Sequence, residues 1–279
     1  MRYLGVSRAE LYSPGRVSGD AAIFRSVAAE LVRHGHEVSC MTEQELVEWG
    51  IPAGVDGIFQ MCRSARALDV LRGASVPVIN SVDAVTGCSR ATQVRILQGT
   101  GLVPESMICS TDAVPAGWNT YPCWIKRADS HAVDKDDVMY ASCQAECSAA
   151  LCALATRGLG ECVIQAHVKG WIVKFYGVRG GGLTDCYASS AADGKFGLER
   201  YNDSPEQAYV DVEGLTAVAE RAADLLGVDV YGGDAIVGPD GTVTIIDFND
   251  WPSFRSCTVG AASRIAELII SKTDDREQE

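Results

Sequence analysis

The chain has 279 residues, 47% of them hydrophobic, enough for two or three small lobes around a shared core. Its 24 basic against 37 acidic residues give a formal charge of −13, which disfavours nucleic acid and anionic membranes as partners. The 11 cysteines form no CxxC pair and read as small reduced core residues of a cytoplasmic protein, not as a disulfide framework or a zinc site.

The N-terminus, "MRYLGVSRAELYSPG", reads as a strand and a polar loop without the apolar run of a signal peptide. No stretch approaches the ~20 apolar residues of a membrane span. "RYLGVS", "HEVSCMT", "DGIFQMC" and "VPVINS" are strand signals. Helical patterns separate them: "DAAIFRSVAAELVRHG", opened by Asp20 and stopped by Gly35, then "EQELVEWG" and "RSARALDVLRG". This β-α-β-α-β-α-β order predicts a parallel sheet with helices on both faces. One helix, or two joined by a turn, follows up to Gly101. "LVPESMICS" and "YPCWIKRAD" read as strands, and "DKDDVMYASCQAECSAALCALATRG" as one long helix. "CVIQAHV" is a strand, and "WIVKFYGVRGG" with "GLTDCYASS" an antiparallel pair turned by glycines. A polar stretch over 192–208 reads as a mobile loop. "VEGLTAVAERAADLLGV" is an amphipathic helix, "TVGAASRIAELIISK" a closing helix, and "TDDREQE" a frayed tail.

No Walker A loop, no GxGxxG turn after the first strand, no GxSxG elbow and no HExxH is present, and the four histidines suggest no zinc site. The chemistry concentrates in the hairpin "GGDAIVGPDGTVTIIDFNDWPSF". A four-residue loop, Gly238 to Gly241, would pair Val237 with Thr242 and set Asp234 opposite Ile245. Alternation then puts Asp234, Ile245, Asp247 and Asn249 on one face. Carboxylates unpaired in an apolar setting cost several kcal/mol, so they call for a cation. Two carboxylates and one amide suit Mg²⁺ (or Mn²⁺). Asp247 and Asn249 could instead cap the turn into "DWPSF", which leaves Asp234 unexplained, and one β-bulge would shift the register. Lys126 in "CWIKRAD" and Lys174 in "WIVKFYGV" sit inside apolar strands. Each either snorkels from an edge or meets a phosphate. Together with the acidic hairpin they suggest a cation-plus-lysine clamp for nucleotide phosphates.

These residues resemble the ATP-grasp superfamily over nearly the whole chain. "INSVDAV" is similar to that family's entry to the nucleotide-binding region. A helix carrying Arg90, the strand lysine Lys126, the loop 129–136, "VIQAHV" and "KFYGV" follow in the family's order. "DFNDWPSF" resembles its closing D/E-x-N-x-x-P-G. The resemblance implies a mixed α/β and α+β class: an N-terminal parallel α/β lobe over 1–80, a linking helix over 81–104, and two α+β subdomains, 105–168 and 169–279, clasping ATP. It places ATP phosphates on Lys126, with Arg90, Ser130 and His131 nearby, and adenine against the backbone of Gln165, Ala166, His167 and Val168. It gives Asp234, Asp247 and Asn249 to Mg²⁺ and sets Lys174 at the transferred phosphate. Three departures stand out: Ala166 where an acidic residue is common, Ser253 where glycine follows the proline, and a loop 129–136 without glycine.

The resulting expectation is an ATP- and Mg²⁺-dependent ligase. It would activate a small-molecule carboxylate as an acyl phosphate for attack by an amine, with Lys174 and Arg255 in catalytic roles. Arg179 is a second candidate carboxylate anchor beside Arg255. "WIVKFYGV" and "IIDFNDWPSF" are also similar to the inositol-polyphosphate kinase branch, so a polyol kinase is the alternative. A nucleotide-binding sensor without turnover is the third. Arg16, Arg63 and Arg66 could bind an anion or could be surface residues. The oligomeric state stays open, with a homodimer the family's analogy.

Overall fold

The computed structural model describes residues 1–130, 132, 134–189, 198–203 and 209–277. The first sheet has the order β2-β1-β3-β4 and is parallel, built from β1 (Arg2–Ser7), β2 (Glu37–Thr42), β3 (Gly57–Gln60) and β4 (Val78–Ile79). Helices α1 (Val17–Arg33), α2 (Glu43–Trp49) and α3 (Ala65–Arg72) connect them, in the order the sequence predicts. Alternation along β1 and β3 sends Tyr3 and Phe59 to one face and Leu4, Val6 and Ile58 to the other. Both faces are covered, which is why these strands are apolar on both sides.

Asn80 explains "INSVDAV". Its side chain is fully buried, accepts from the N–H groups of Asp229 and Val230, and donates to the Val230 carbonyl. One carboxamide thus ties the first sheet to the third. Ser81 then caps α4 (Val82–Gly87), and Ser89 caps α5 (Arg90–Leu97), so the linking segment is two short helices.

The second sheet is antiparallel, ordered β5-β8-β6-β7. Its strands are β5 (Ser106–Ser110), β6 (Cys123–Arg127), β7 (Val138–Ala141) and β8 (Glu161–Ala166). The long helix expected over 134–158 is corrected here. A 3-10 turn at Lys135–Asp137 and the strand β7 occupy its first half, and α6 runs only over Gln144–Thr156. Asp134 opens that turn with a reciprocal cap to Asp137, which imitates a helix start in sequence. Asp137 is buried against Arg127 and Arg157. "VMYA" meanwhile pairs with β6, and its β-branched and aromatic residues fit a pleated surface.

The third sheet, β10-β9-β11-β12, is antiparallel. It comprises β9 (Trp171–Val178), β10 (Gly182–Ala188), β11 (Val230–Val237) and β12 (Val243–Asp250). Helix α7 (Val212–Leu226) lays Leu215, Ala219, Ala222 and Ala223 on one face of it. The expected loop over 192–208 falls mostly outside the described residues. The last helix, α8 (Thr258–Glu277), returns to the first sheet and buries Ile265 and Ile269 among Ile23, Val27 and Phe59. Each such side chain contributes about 2 kcal/mol by leaving water. The tail is therefore not frayed at residue 273: Thr273 is buried and donates to the Ile269 carbonyl. Among the described residues no helix is long and apolar enough to cross a membrane.

Candidate functional site

Strands β6 and β8 of the second sheet and β9, β11 and β12 of the third line a shared cleft of about 360 Å³. The acidic hairpin forms part of its wall, in a register that differs from the one derived from sequence. Val237 pairs with Val243, so the loop has five residues. A bulge at Ile246 then takes up the extra residue, and Asp234 pairs directly with Asp247. Ile245 does not share the acidic face. It pairs with Ala235 and is buried against α7. Without the bulge, the longer loop would have sent Asp247 to that buried side. With it, Asp234, Asp247 and Asn249 all line the cleft. The bulge also re-aims the backbone. The Ile245 N–H donates to the Leu102 carbonyl, and the Ile246 carbonyl turns to Lys126.

Asp234 and Asp247 are not the unpartnered acids that the sequence suggests: each has a basic neighbour. Across three strands, Lys174, Asp234 and Asp247 stand side by side in register. Lys174 Nζ is 2.8 Å from Asp234 Oδ1. On the other side, Arg90 Nε faces Asp247 Oδ1 at 3.6 Å. Two carboxylates directly opposite each other are mutually destabilising, and positive charge beside them offsets this. A hard divalent cation meets the same requirement: Asp234, Asp247 and the Asn249 amide offer oxygen donors on one face. The metal reading therefore rests on that shared face and donor chemistry. Among the described residues no group of three His, Cys, Asp or Glu side chains gathers as a metal site.

Lys126 is in a different position. It is buried on β6, and its ammonium donates to Gln165 Oε1 at 2.7 Å and to the Ile246 carbonyl at 2.8 Å. Both acceptors are neutral, and among the described residues no carboxylate lies within ion-pair distance. Burial, followed by the nearby Arg90 charge, lowers its pKa to about 8. Arg90 begins α5, is itself buried, and donates to the Ser130 carbonyl at 3.1 Å.

Gln165, Ala166, His167 and Val168 also line the cleft. The Ala166 N–H is held by the Glu105 carbonyl and the His167 N–H by the Pro122 carbonyl. Asn202 donates to the Val168 carbonyl at 3.3 Å. An aromatic cluster, missed in the sequence, borders this end. Tyr140 stacks on Tyr201 with centroids 4.0 Å apart, and Trp124 Nε1 donates to His167 Nδ1 at 3.1 Å. Burial lowers the His167 pKa. Trp124 had a readable signal: it lies two residues before Lys126, on the same face of β6.

Other expected site residues go elsewhere. Ser130 lines a second, smaller cavity and not the cleft, and His131 lies outside the described residues. Arg255 is exposed and lines neither space. In "DWPSF" the backbone holds Trp251 at φ 38° and Phe254 at φ 45°, a costly conformation for bulky residues. Both rings are fully buried as a result, and the next residue is turned outward. Arg179 pairs with Asp229 and Arg63 with Asp250, while Arg66 is exposed. Arg16 lines both the cleft and the second cavity. Ser253 also lines the second cavity, with its Cβ against Gly19, where an added methyl would sit 3.2 Å away.

No protein-family model matches the chain, and no curated protein sequence matches it. Solved structures do. A D-alanine–D-alanine ligase from Bacillus anthracis complexed with ATP superposes with a TM-score of 0.72 at 15% identity, covering 100% of both chains. A RimK-domain ATP-grasp protein from Sphaerobacter thermophilus gives 0.66 at 18% identity, over 97% of this chain and 100% of that one. A D-alanine–D-alanine ligase from Coxiella burnetii gives 0.67 at 11%, over 100% and 97%. At these identities the likeness establishes the fold: three sheets in this order form the ATP-grasp fold. The inositol-kinase resemblance gains no support from these neighbours.

Proposed function

We propose that this ATP-grasp chain is an ATP-dependent ligase that activates a small carboxylate as an acyl phosphate for attack by an amine. The observation that carries the reading is Lys126. A buried ammonium satisfied only by neutral acceptors, opposite a pair of facing carboxylates, is a charge arrangement that a phosphate chain and its metal would complete. The cleft is lined by four cationic side chains, Arg16, Arg90, Lys126 and Lys174, and two carboxylates, Asp234 and Asp247. That is a local positive excess in a chain of net charge −13.

In this reading the residues 165–168 hold the adenine edge, and Lys126 with Arg90 holds the phosphates. Asp234, Asp247 and Asn249 would hold Mg²⁺, which would neutralise charge on the phosphate oxygens. Lys174 would leave Asp234 for the transferred phosphoryl group, and the bond from the terminal phosphorus to the bridging oxygen would break as the substrate carboxylate attacks. The amine would then displace phosphate from the acyl carbon. The protein's contribution is positioning and electrostatic stabilisation. The ligases among the structural neighbours support this class, as does the bound ATP in one of them.

The test is ADP release from MgATP in the presence of pooled carboxylates and amines, with product mass followed. ADP that requires both an acid and an amine supports the ligase. A phosphorylated alcohol would replace it with a kinase, and nucleotide binding without turnover would leave a sensor.

A further inference from the structure

Beside the metal end of the cleft lies the second cavity, of about 240 Å³, between the end of β1, the start of α1 and the "DWPSF" turn. It joins the cleft through Arg16 and Asn249, which line both. Its charged lining is three arginines, Arg8, Arg16 and Arg63, and two aspartates, Asp20 and Asp250. Both aspartates are committed. Asp20 accepts from Arg8 at 3.1 Å and from the Ser13 hydroxyl at 2.6 Å. Asp250 takes Arg63 at 2.6 Å and is almost fully buried. Arg8 and Arg63 are spent in those pairs and on the carbonyls of Met61, Trp251 and Asp250. Arg16 is left, half-buried, its backbone bonded to Ser13 and Asp20 but its guanidinium with no ion pair or hydrogen bond among the described residues. The wall also holds Trp251, whose buried indole N–H has no acceptor. The cavity therefore has donors and one positive charge to spare, and no free acid.

We infer that this cavity takes the substrate carboxylate of the proposed ligase, with Arg16 as its anion anchor, and that the substrate is a small carboxylate without an amino group. This rests on the ligase reading of the adjoining cleft. Three steps lead to it. The cavity, at about 240 Å³, lies below the ~300 Å³ at which ordinary ligand pockets begin, which favours a small acid. Its unbalanced charge is positive, and a guanidinium pairs best with a carboxylate through two parallel N–H donors. An ammonium on the substrate would meet no unpaired carboxylate among the described residues, because Asp20 and Asp250 are already paired, and a buried charge without a counter-charge is disfavoured. Ser253 fits the same picture. It lines this cavity where the related pattern has glycine, and Gly19 across from it leaves the space for its Cβ.

The experiment is calorimetric titration of the full chain, with and without MgADP, by propionate and succinate and by their amino-bearing counterparts alanine and aspartate. The wild type is compared with Arg16→Gln and with Arg16→Lys, which keeps the charge if the amide variant folds poorly. The expected result is saturable binding of an amino-free acid, at least about tenfold weaker for the amino acid of the same skeleton, and at least about tenfold weaker in Arg16→Gln with partial rescue in Arg16→Lys. Equal or better binding of alanine or aspartate overturns the inference. So does an Arg16→Gln variant whose MgADP affinity falls as far as its carboxylate affinity, because Arg16 is then a phosphate ligand. Carboxylate binding that depends on Arg16 in a chain that binds no MgADP supports the anchor while refuting the ligase.

Discussion

The two walls of the cleft handle buried charge in opposite ways. On the third sheet, both acids that line the cleft have a base: Lys174 meets Asp234, and Arg90 faces Asp247. On the second sheet, Lys126 is deeper, its pKa is lowered, and its partners are a carboxamide and a backbone carbonyl. The first wall is electrostatically complete on its own and the second is not. A wall that stores an uncompensated charge indicates where a ligand's opposite charge goes, whereas a compensated pair indicates groups that must exchange partners when the ligand arrives.

The largest expected effect comes from breaking the acidic wall. Asp247→Asn keeps the shape and one oxygen donor but removes the charge facing Asp234. Turnover with MgATP should fall about 100-fold or more, about 3 kcal/mol of transition-state stabilisation. Steady-state ADP release measures it. Unchanged turnover would remove the hairpin from the site.

Lys126→Met tests the other wall. The apolar stem is kept, the stored charge is lost, and two neutral acceptors lose a donor. MgATP affinity should weaken about 30-fold, the ~2 kcal/mol of a charged hydrogen bond. Global stability should move by only about 1 kcal/mol, since removing a buried charge offsets the unpaired acceptors. Binding and thermal melts on the same sample separate the two. A large loss of stability with intact binding would make Lys126 a structural residue.

The pH dependence sharpens the same contrast. Lys126 titrates at about 8 in the folded chain against 10.5 for an ordinary lysine. Between those values the unfolded chain holds more protons than the folded one, so this group's contribution makes stability rise with pH across that window. MgATP affinity should run the other way, falling above pH 8 as the ammonium is lost, and the fall should be absent in Lys126→Met.

Much of this architecture was legible because the signals were local. The alternating pattern of 1–80 gave the parallel sheet, and apolar strands interrupted by Lys126 and Lys174 pointed to both walls. The hairpin face was found through two errors that cancel: the loop is one residue longer than derived, and the Ile246 bulge restores the parity. A bulge leaves no mark in a pattern of period two, so only Ile245 was misplaced. The strand β7 was hidden because a capped acidic turn imitates the start of a helix. Arg16 was one of three arginines named as possible anion ligands, but which of the three stays unpaired, and the second cavity itself, were unreadable for another reason. They depend on which arginines find aspartates across 187 residues of separation, as Arg63 does with Asp250, and no periodicity encodes that.

The smallest expected effect lies in the compensated pair. Lys174 and Asp234 are partly exposed, so solvent screens them, and a double-mutant cycle with Lys174→Met and Asp234→Asn should return only about 0.5 kcal/mol of coupling in the free chain. The informative quantity is its change on adding MgADP. If Asp234 turns to the metal and Lys174 to a phosphate, each acquires a stronger partner and their mutual coupling should drop toward zero. Denaturant melts of the four proteins, with and without MgADP, give both numbers. A coupling that persists undiminished with nucleotide bound would mean the pair stays closed, and Lys174 would then be a strut of the third sheet and not a group that meets the transferred phosphate.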